Sequence, residues 1–322
     1  MQVLVTGSTG YLGHAIVAAL VRSGHAVVAF SRSASRSGLP VTTIDGDIRD
    51  AGAVARAARD CDAIIHSAAL VAVWRKAPQD FDNVNVGGLA NVLAAARQHR
   101  TPRVVYTSSF LALPPADARG TPAGNDYQRT KILASQLADR AADDGAPIVR
   151  LYPGVIYGPG QMTDGNLVGK MIGDHLAGRL PGVVGADRIW SFAYVDDVAR
   201  GHVAALARGR IGGRYCLGGE NVPQMRAFDI VREITGRPLP RRLPPWLASC
   251  AAAADELGAR WLGRTPQLTS GTLDILLHDW PLDSTSAEEE LGYQVTPLRD
   301  GIANIVSWLT AARSATQGAS TS

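Results

Sequence analysis

The stretch VTGSTGYLG, Val5 to Gly13, decides the fold. It closes a short apolar run at residues 2–6 and opens a helical run that Gly24 stops; residues 25–30, HAVVAF, read as the next strand. Strand, glycine turn, helix and strand make a β-α-β unit. Glycines at 7, 10 and 13 let backbone amides at the helix start approach a pyrophosphate with no β-carbon in the way, and the helix dipole favours the negative charge. Gly7, Thr9, Gly10, Tyr11, Leu12 and Gly13 are therefore candidate cofactor residues. A glycine-rich turn without a ligand shares this spacing. What favours the dinucleotide is the place of the turn between strand and helix.

Moving outward, the alternation continues. Strands are expected at 42–44, 63–66, 103–107, 147–151 and 215–217, with helices near 51–59 and 86–98. Such a series predicts an α/β chain with a Rossmann-type, doubly wound parallel sheet covered on both faces. Residues from roughly 155–180 and 220–275 are richer in Pro and Gly and lose the alternation, which sets apart 155–189 and 219–310, although LPPWLASCAAAADELGARWLG reads as a helix with Trp246 and Trp261 near its ends. They are expected to form a smaller, mostly helical substrate-binding domain. The dinucleotide domain then covers 1–154 with about 190–218 returning to it, and 311–322 is a flexible tail.

The chain has 322 residues, 46% hydrophobic and 19% charged, which excludes a fibre or a disordered polymer. Its net charge is +3, and its basic residues are scattered, with no run longer than Arg241-Arg242, so no nucleic-acid footprint is present. Cys61, Cys216 and Cys250 are far apart and in no metal-ligand spacing, so no metal site or disulfide framework is expected. The N-terminus lacks the marks of a cleavable leader, and no apolar run approaches the roughly 20 residues of a bilayer span. A cytoplasmic protein with a small-molecule partner is the expectation.

At the end of the second strand, where a carboxylate commonly holds the adenosine ribose, stand Ser31 and Arg32. A missing acid and a guanidinium favour a 2′-phosphate, hence NADP(H) over NAD(H); a solvated surface arginine is the other reading. Asp47 and Ile48 are candidates for adenine contact. Ala68 and Ala69, in HSAA, suit either a cofactor passing close by or tight core packing.

The strand VVYTSS delivers Thr107, Ser108 and Ser109 to the carboxyl edge of the sheet, where ligands of open α/β sheets bind. Tyr127 and Lys131 follow, four residues apart and so on one face of a helix. A phenol of pKa about 10 must shift by roughly three units to exchange a proton near neutrality, and a nearby ammonium has the right sign. Only Lys76, Lys131 and Lys170 are lysine, which puts the chance of any Tyr-x-x-x-Lys at about 0.07.

Taken in order, TGSTGYLG, GDIRD, HSAA, NVNVGG, YTSS, YQRTK, LYPGVIYGPG and FAYVDDVARGH resemble an extended short-chain dehydrogenase/reductase. The wording is most similar to the dihydroflavonol-reductase-like and farnesol-dehydrogenase-like branch. The resemblance implies an NAD(P)-dependent oxidoreductase in which Ser109 aligns the substrate oxygen, Tyr127 is the general acid/base and Lys131 tunes it. It also implies that Asn85 supports the local backbone or a water chain, and that Pro153, Gly154 and Val155 border the cofactor. It keeps NAD(H) open, since NAD use in the farnesol dehydrogenases accompanies basic residues after the second strand.

Departures from the family narrow the substrate. Trp190 stands where nucleotide-sugar enzymes usually have Arg, Tyr194 where they have His, and Pro153-Gly154 where many have an Asn. With Phe110, Leu111, Leu113, Trp246 and Trp261 these suggest an apolar prenyl, flavonoid-like or sterol-like substrate, with Phe110, Trp190 and Tyr194 touching it; core packing is the competing reading for each aromatic. The connection from Ser109 to Tyr127 is shorter than is common in the family and is expected to form a pocket rim. Two other functions remain in play: a sugar epimerase or dehydratase that retains NAD, and a non-catalytic dinucleotide sensor. The helices near 86–98 and 128–142 could serve a homodimer or a monomer.

Overall fold

The structure, a computed structural model, describes residues 1–118, 124–262, 264–266 and 268–319. Its large sheet has seven parallel strands: β1 (Gln2–Thr6), β2 (Ala26–Ser31), β3 (Thr42–Asp45), β4 (Ala63–His66), β5 (Val104–Thr107), β6 (Ile148–Pro153) and β9 (Arg214–Leu217). They lie in the order β3-β2-β1-β4-β5-β6-β9. The order reverses between β1 and β4, so the crevice that receives ligands in open α/β sheets opens at the carboxyl ends of those two strands.

The central strands β1, β4 and β5 are mostly apolar because both faces are covered, whereas the edge strand β3, TTID, is exposed or half-buried. Val3 and Val5 of β1 face one core with Ile65, Val105 and Leu151, while Leu4 faces the opposite core with Ile64, Val104 and Ile148. Helices α1 (Tyr11–Arg22) and α7 (Val195–Arg208) cover the first face. Helices α2 (Ala51–Ala58), α4 (Gly88–His99) and α5 (Asp126–Asp143) cover the second. The helix expected at 86–98 begins differently: α3 (Gln79–Phe81) leads into a π-helical segment, Asp82–Gly87, before α4.

A second sheet orders β10 (Glu220–Pro223), β8 (Ile189–Tyr194) and β7 (Val155–Tyr157), with β7 parallel and β10 antiparallel to β8. The expectation of a mostly helical region did not foresee it, because three- and four-residue strands are too short to show a period. Around it lie α6 (Leu167–Leu176), α8 (Met225–Thr235), α9 (Pro245–Leu262), α10 (Ser270–Leu276) and α11 (Leu298–Ala319). Helix α11 therefore extends into the segment expected as a tail, and residues 320–322 lie outside the described ones. Asp197, buried at the start of α7, accepts hydrogen bonds from the amide and hydroxyl of Thr296 (2.6 and 2.8 Å), tying that helix to the chain leading into α11.

Candidate active site

The glycine turn is built by exclusion. Gly7 has φ +72°, and a Cβ there would lie 2.6 Å from the Cα of Ala68, so the turn after β1 and the loop after β4 approach more closely than any side chain allows. A Cβ at Gly13 would overlap the carbonyl oxygen of Gly7, which lets α1 start directly under the turn. Gly10 is the N-cap of α1, with no side-chain cap and no acidic residue in the first turn. The first amides of a helix at the sheet's switch point are thus left to whatever anion enters, and the cradle fits a pyrophosphate. Thr9 donates to the Ser31 hydroxyl at 3.1 Å, joining the turn to the end of β2.

The charges beside that edge are already sorted. Asp45 accepts from the amide and hydroxyl of Ser35 (2.8 and 2.6 Å), and Asp47 is held bidentately by Arg49 (3.0 and 2.7 Å). The Arg49 hydrogen bonds hold the Asp47 carboxyl below its ordinary range. Arg32 is exposed and makes no ion pair among the described residues. Ile48 is buried against Gly88, where a Cβ would come within 2.8 Å of it.

Across the same edge runs a buried polar layer. Thr6 meets His66 Nδ1 at 2.8 Å, the His66 ring stacks on Tyr106 (5.8 Å between centroids), and Lys131 Nζ lies 5.9 Å from the centroids of both Tyr106 and Tyr127. Lys131 donates to the Thr107 carbonyl at 3.2 Å. The Thr107 hydroxyl lies 2.8 Å from His202 Nε2, while His202 Nδ1 lies 2.7 Å from the Val198 carbonyl. A carbonyl only accepts, so Nδ1 carries the proton and Nε2 accepts from Thr107. Burial keeps both imidazoles neutral, His66 pushed down to about 3 and His202 to about 4. Ser109 and Tyr127 stand at the open side of this layer, the hydroxyl beside the phenol.

A profile of the NAD dependent epimerase/dehydratase family matches residues 3–218. The chain belongs to this family, the extended short-chain dehydrogenases/reductases. It is 32% identical to sterol demethylase protein B of Methylococcus capsulatus, over 96% of this chain and 98% of that one. It is 30% identical to human 3 beta-hydroxysteroid dehydrogenase type 7, over 98% and 97%. It is similar to the crystal structure of gox2253, with a TM-score of 0.81, 30% identity and coverage of 96% and 98%. Extended short-chain dehydrogenases/reductases carry NAD(P) dinucleotides, which the cradle fits.

The phenol does not behave as the sequence suggested. An ammonium one helical turn away was expected to lower it; instead burial pushes Tyr127 up to about 12, with Ser109 acting in the lowering direction. Lys131 is itself pushed down to about 8 by burial. Desolvation of two groups on one buried wall outweighs their mutual effect. The unfolded lysine keeps its proton above pH 8 and the folded one does not, so the contribution of this group to stability rises with pH there. Between pH 8 and 10 the stability of dinucleotide-free wild type relative to Lys131→Met is expected to rise by about 2 kcal/mol, a difference in which the opposite contributions of Cys216 and the buried tyrosines cancel. Urea unfolding of wild type and Lys131→Met at both pH values checks this; a stability difference that does not change with pH would contradict it.

Several other side chains sit elsewhere than expected. Trp190 and Tyr194 are 3% and 8% exposed, packed with Tyr157 and Phe192 in a separate core at the three-stranded sheet, so neither forms an open cleft wall. The apolar face of a buried strand and the wall of an apolar cleft look alike in sequence. Trp246 and Trp261 are 68% and 82% exposed and face solvent. Tyr11 is buried under the loop after β7, its hydroxyl next to Gly158. Phe110 alone among the three proposed substrate residues is half-buried, edge-on to Trp280 at 5.3 Å.

Three further polar residues shape the site. Asn85, on the π-helical segment, accepts from Leu70 N (2.7 Å) and donates to the Thr130 hydroxyl (2.9 Å), tying the loop after β4 to the residue before Lys131. Gln128, fully buried, accepts from Gly124 N (2.9 Å) and donates to the Leu111 carbonyl (3.4 Å), clamping both ends of the rim loop, of which 119–123 lie outside the described residues. Gln161 donates to the Thr9 carbonyl at 3.3 Å. Asn85 falls within the family wording; an uncharged amide on the inward face of a helix was the only signal for Gln128, and Gln161 had none.

Proposed function

We propose that this chain interconverts an alcohol and a ketone or aldehyde on a hydrophobic small molecule of prenyl, flavonoid-like or sterol-like kind, with NADP(H) preferred to NAD(H). One observation carries the reading: Ser109, Tyr127 and Lys131 share one wall at the carboxyl edge of the sheet, joined through His66 and Thr6 to the end of the strand that enters the glycine cradle. When bound there, the dinucleotide supplies or accepts the hydride. Ser109 donates to the substrate oxygen, and Tyr127 gives it a proton or takes one away. Lys131, fixed by the Thr107 carbonyl, would hold the ribose on the nicotinamide side. At neutral pH the phenol is protonated, the form that serves carbonyl reduction.

In this reading residues 1–154, with 190–218, hold the dinucleotide, and 155–189 with 219–310 hold the substrate. The apolar substrate draws support from Phe110 against Trp280, from Trp190 in place of an arginine, and from the sterol-named relatives. Reduced dinucleotide should be consumed in proportion to an added apolar ketone. Inversion of a nucleotide sugar with no net loss of dinucleotide would overturn the reading.

The NADP preference rests on the neighbours of Arg32. Asp45 and Asp47 already have partners, and only the guanidinium is left to meet a ligand. Arg32→Ala is expected to weaken NADP(H) about 10- to 100-fold, the worth of a charge-assisted phosphate contact, and to leave NAD(H) within about twofold. Calorimetric titration of both dinucleotides into wild type and variant measures this.

A further inference from the structure

Helix α9 is inside out. Its charged, described side chains face the protein: Glu256 accepts from Ser270 N (2.7 Å) and Asp255 from Leu268 N (3.2 Å), both half-buried. Ala248, Ala252 and Ala259 are its buried contacts, Ala248 packing with Val184 and Leu273. Outward face Trp246, Cys250, Ala253, Leu257 and Trp261, spaced by four, three, four and four residues and so in one stripe along the helix. The two indoles, about 22 Å apart along the axis, and Leu257 at 56% exposure make this an apolar surface that water alone does not explain.

We propose that α9 seats the protein on an anionic lipid surface, lying in the headgroup layer with the Trp246–Trp261 stripe down. Charge chooses this occupant. Residues 237–264 hold five arginines against two acids, and those two acids are the inward-facing pair. Arg241, exposed and without an ion pair among the described residues, precedes the stripe beside Arg242, which shares its charge with Asp187 (2.7 and 2.6 Å). Exposed Arg264, 3.9 Å from Asp255, follows it, so the helix carries basic ends and tryptophans as an interface with anionic headgroups favours. A second copy fits poorly, because basic ends face basic ends whether the two helices run parallel or antiparallel. Among the described residues no helix is long and apolar enough to cross a membrane, so α9 lies on the bilayer.

The position of the helix gives the docking a use. Its neighbour α10 touches the start of α5 backbone to backbone: a Cβ at Gly271 would overlap the Gly124 carbonyl, and Asn125, the cap of α5, donates to Thr272 at 3.3 Å. Ile275 and Leu276 of α10 pack on the same cluster as Phe110 and Tyr127. A bilayer under α9 therefore lies on the side of the protein that leads through α10 to the catalytic wall, and a lipid-soluble alcohol or ketone would enter from that side; this delivery step, unlike the docking, rests on the function proposed above.

Flotation with vesicles of phosphatidylcholine, with and without phosphatidylglycerol, tests the docking. Wild type should float with the anionic vesicles, and Trp246→Ala/Trp261→Ala should bind at least about tenfold more weakly with unchanged circular dichroism, since both indoles are exposed. Arg241→Ala/Arg242→Ala should weaken binding to anionic vesicles only. Failure of wild type to float, equal flotation of the tryptophan variant, or a wild-type dimer that the tryptophan variant converts to monomer in sedimentation would each overturn the proposal. Wild-type turnover of a short water-soluble ketone without vesicles reports on the catalytic reading alone, so the two can fail separately.

Discussion

Tyr127→Phe is expected to lower kcat for carbonyl reduction by about 10²- to 10⁴-fold, the usual worth of a positioned general acid. Dinucleotide affinity should stay within about twofold, because the phenol's oxygen makes no hydrogen bond to the glycine cradle or to the β2 edge. Stability should hold or improve slightly, since the hydroxyl is held in a desolvated place that pushes its pKa up to about 12. That combination separates loss of proton transfer from loss of fold. In the wild type, alcohol oxidation needs the phenol deprotonated, so its rate should climb between pH 7 and 10 while reduction does not. Initial rates in both directions, with dinucleotide binding measured by fluorescence, check each part; a variant with undiminished kcat would remove Tyr127 from the chemistry.

Gly7→Ala should abolish measurable dinucleotide binding, weakening it by about 100-fold or more, and should cost about 2–4 kcal/mol of stability. Two penalties coincide there. The residue sits at φ +72°, and its new methyl would stand 2.6 Å from a backbone atom of Ala68 that cannot rotate away. Relief requires the turn and the loop after β4 to separate, which moves the amides of α1 off the phosphates. Gly24→Ala supplies the control, because Gly24 has φ +77° but nothing within 4 Å of the added carbon. It should cost only the left-handed backbone strain, about 1–2 kcal/mol, and leave binding intact. Thermal unfolding and titration of both variants distinguish overlap from strain; equal effects at the two sites would show that the close approach at Gly7 has no role.

The fold was legible where period and punctuation agreed. Val3, Leu4 and Val5 form an unbroken apolar run because both faces of β1 are covered, and Gly7, Gly10 and Gly13 sit where backbone meets backbone. The edge strand β9 and helix α5 also lie near their expected places. The second sheet was not legible, since β7 is three residues long and β10, on the other side of β8, is a polar segment, ENVP. Trp190 shows the limit for sites. Its replacement of an arginine was visible, but whether an indole lines a cleft or fills a core depends on what lies across from it, and that is set by β10 and Trp280 far along the chain.

Electrostatics were the least legible. Four residues of spacing placed Tyr127 and Lys131 on one face, yet the sign of the phenol's shift depends on how deeply both groups are buried, and burial depends on Tyr106, His66 and the packing of α5. Asn85 and Gln128 act on the site through contacts 45 and 17 residues away in sequence. No local pattern encodes such partners.

The most direct test of hydride transfer at the Tyr127 wall follows the label. Wild type is given an apolar ketone and reduced dinucleotide deuterated at nicotinamide C4, on one face and then on the other, and the alcohol is read by mass spectrometry. One deuterium at the carbinol carbon for each labelled dinucleotide oxidised, from one face only, and its near-absence with Tyr127→Phe, is the expected result. Unlabelled alcohol with the label on either face, or equal labelling by wild type and variant at the same rate, would contradict it.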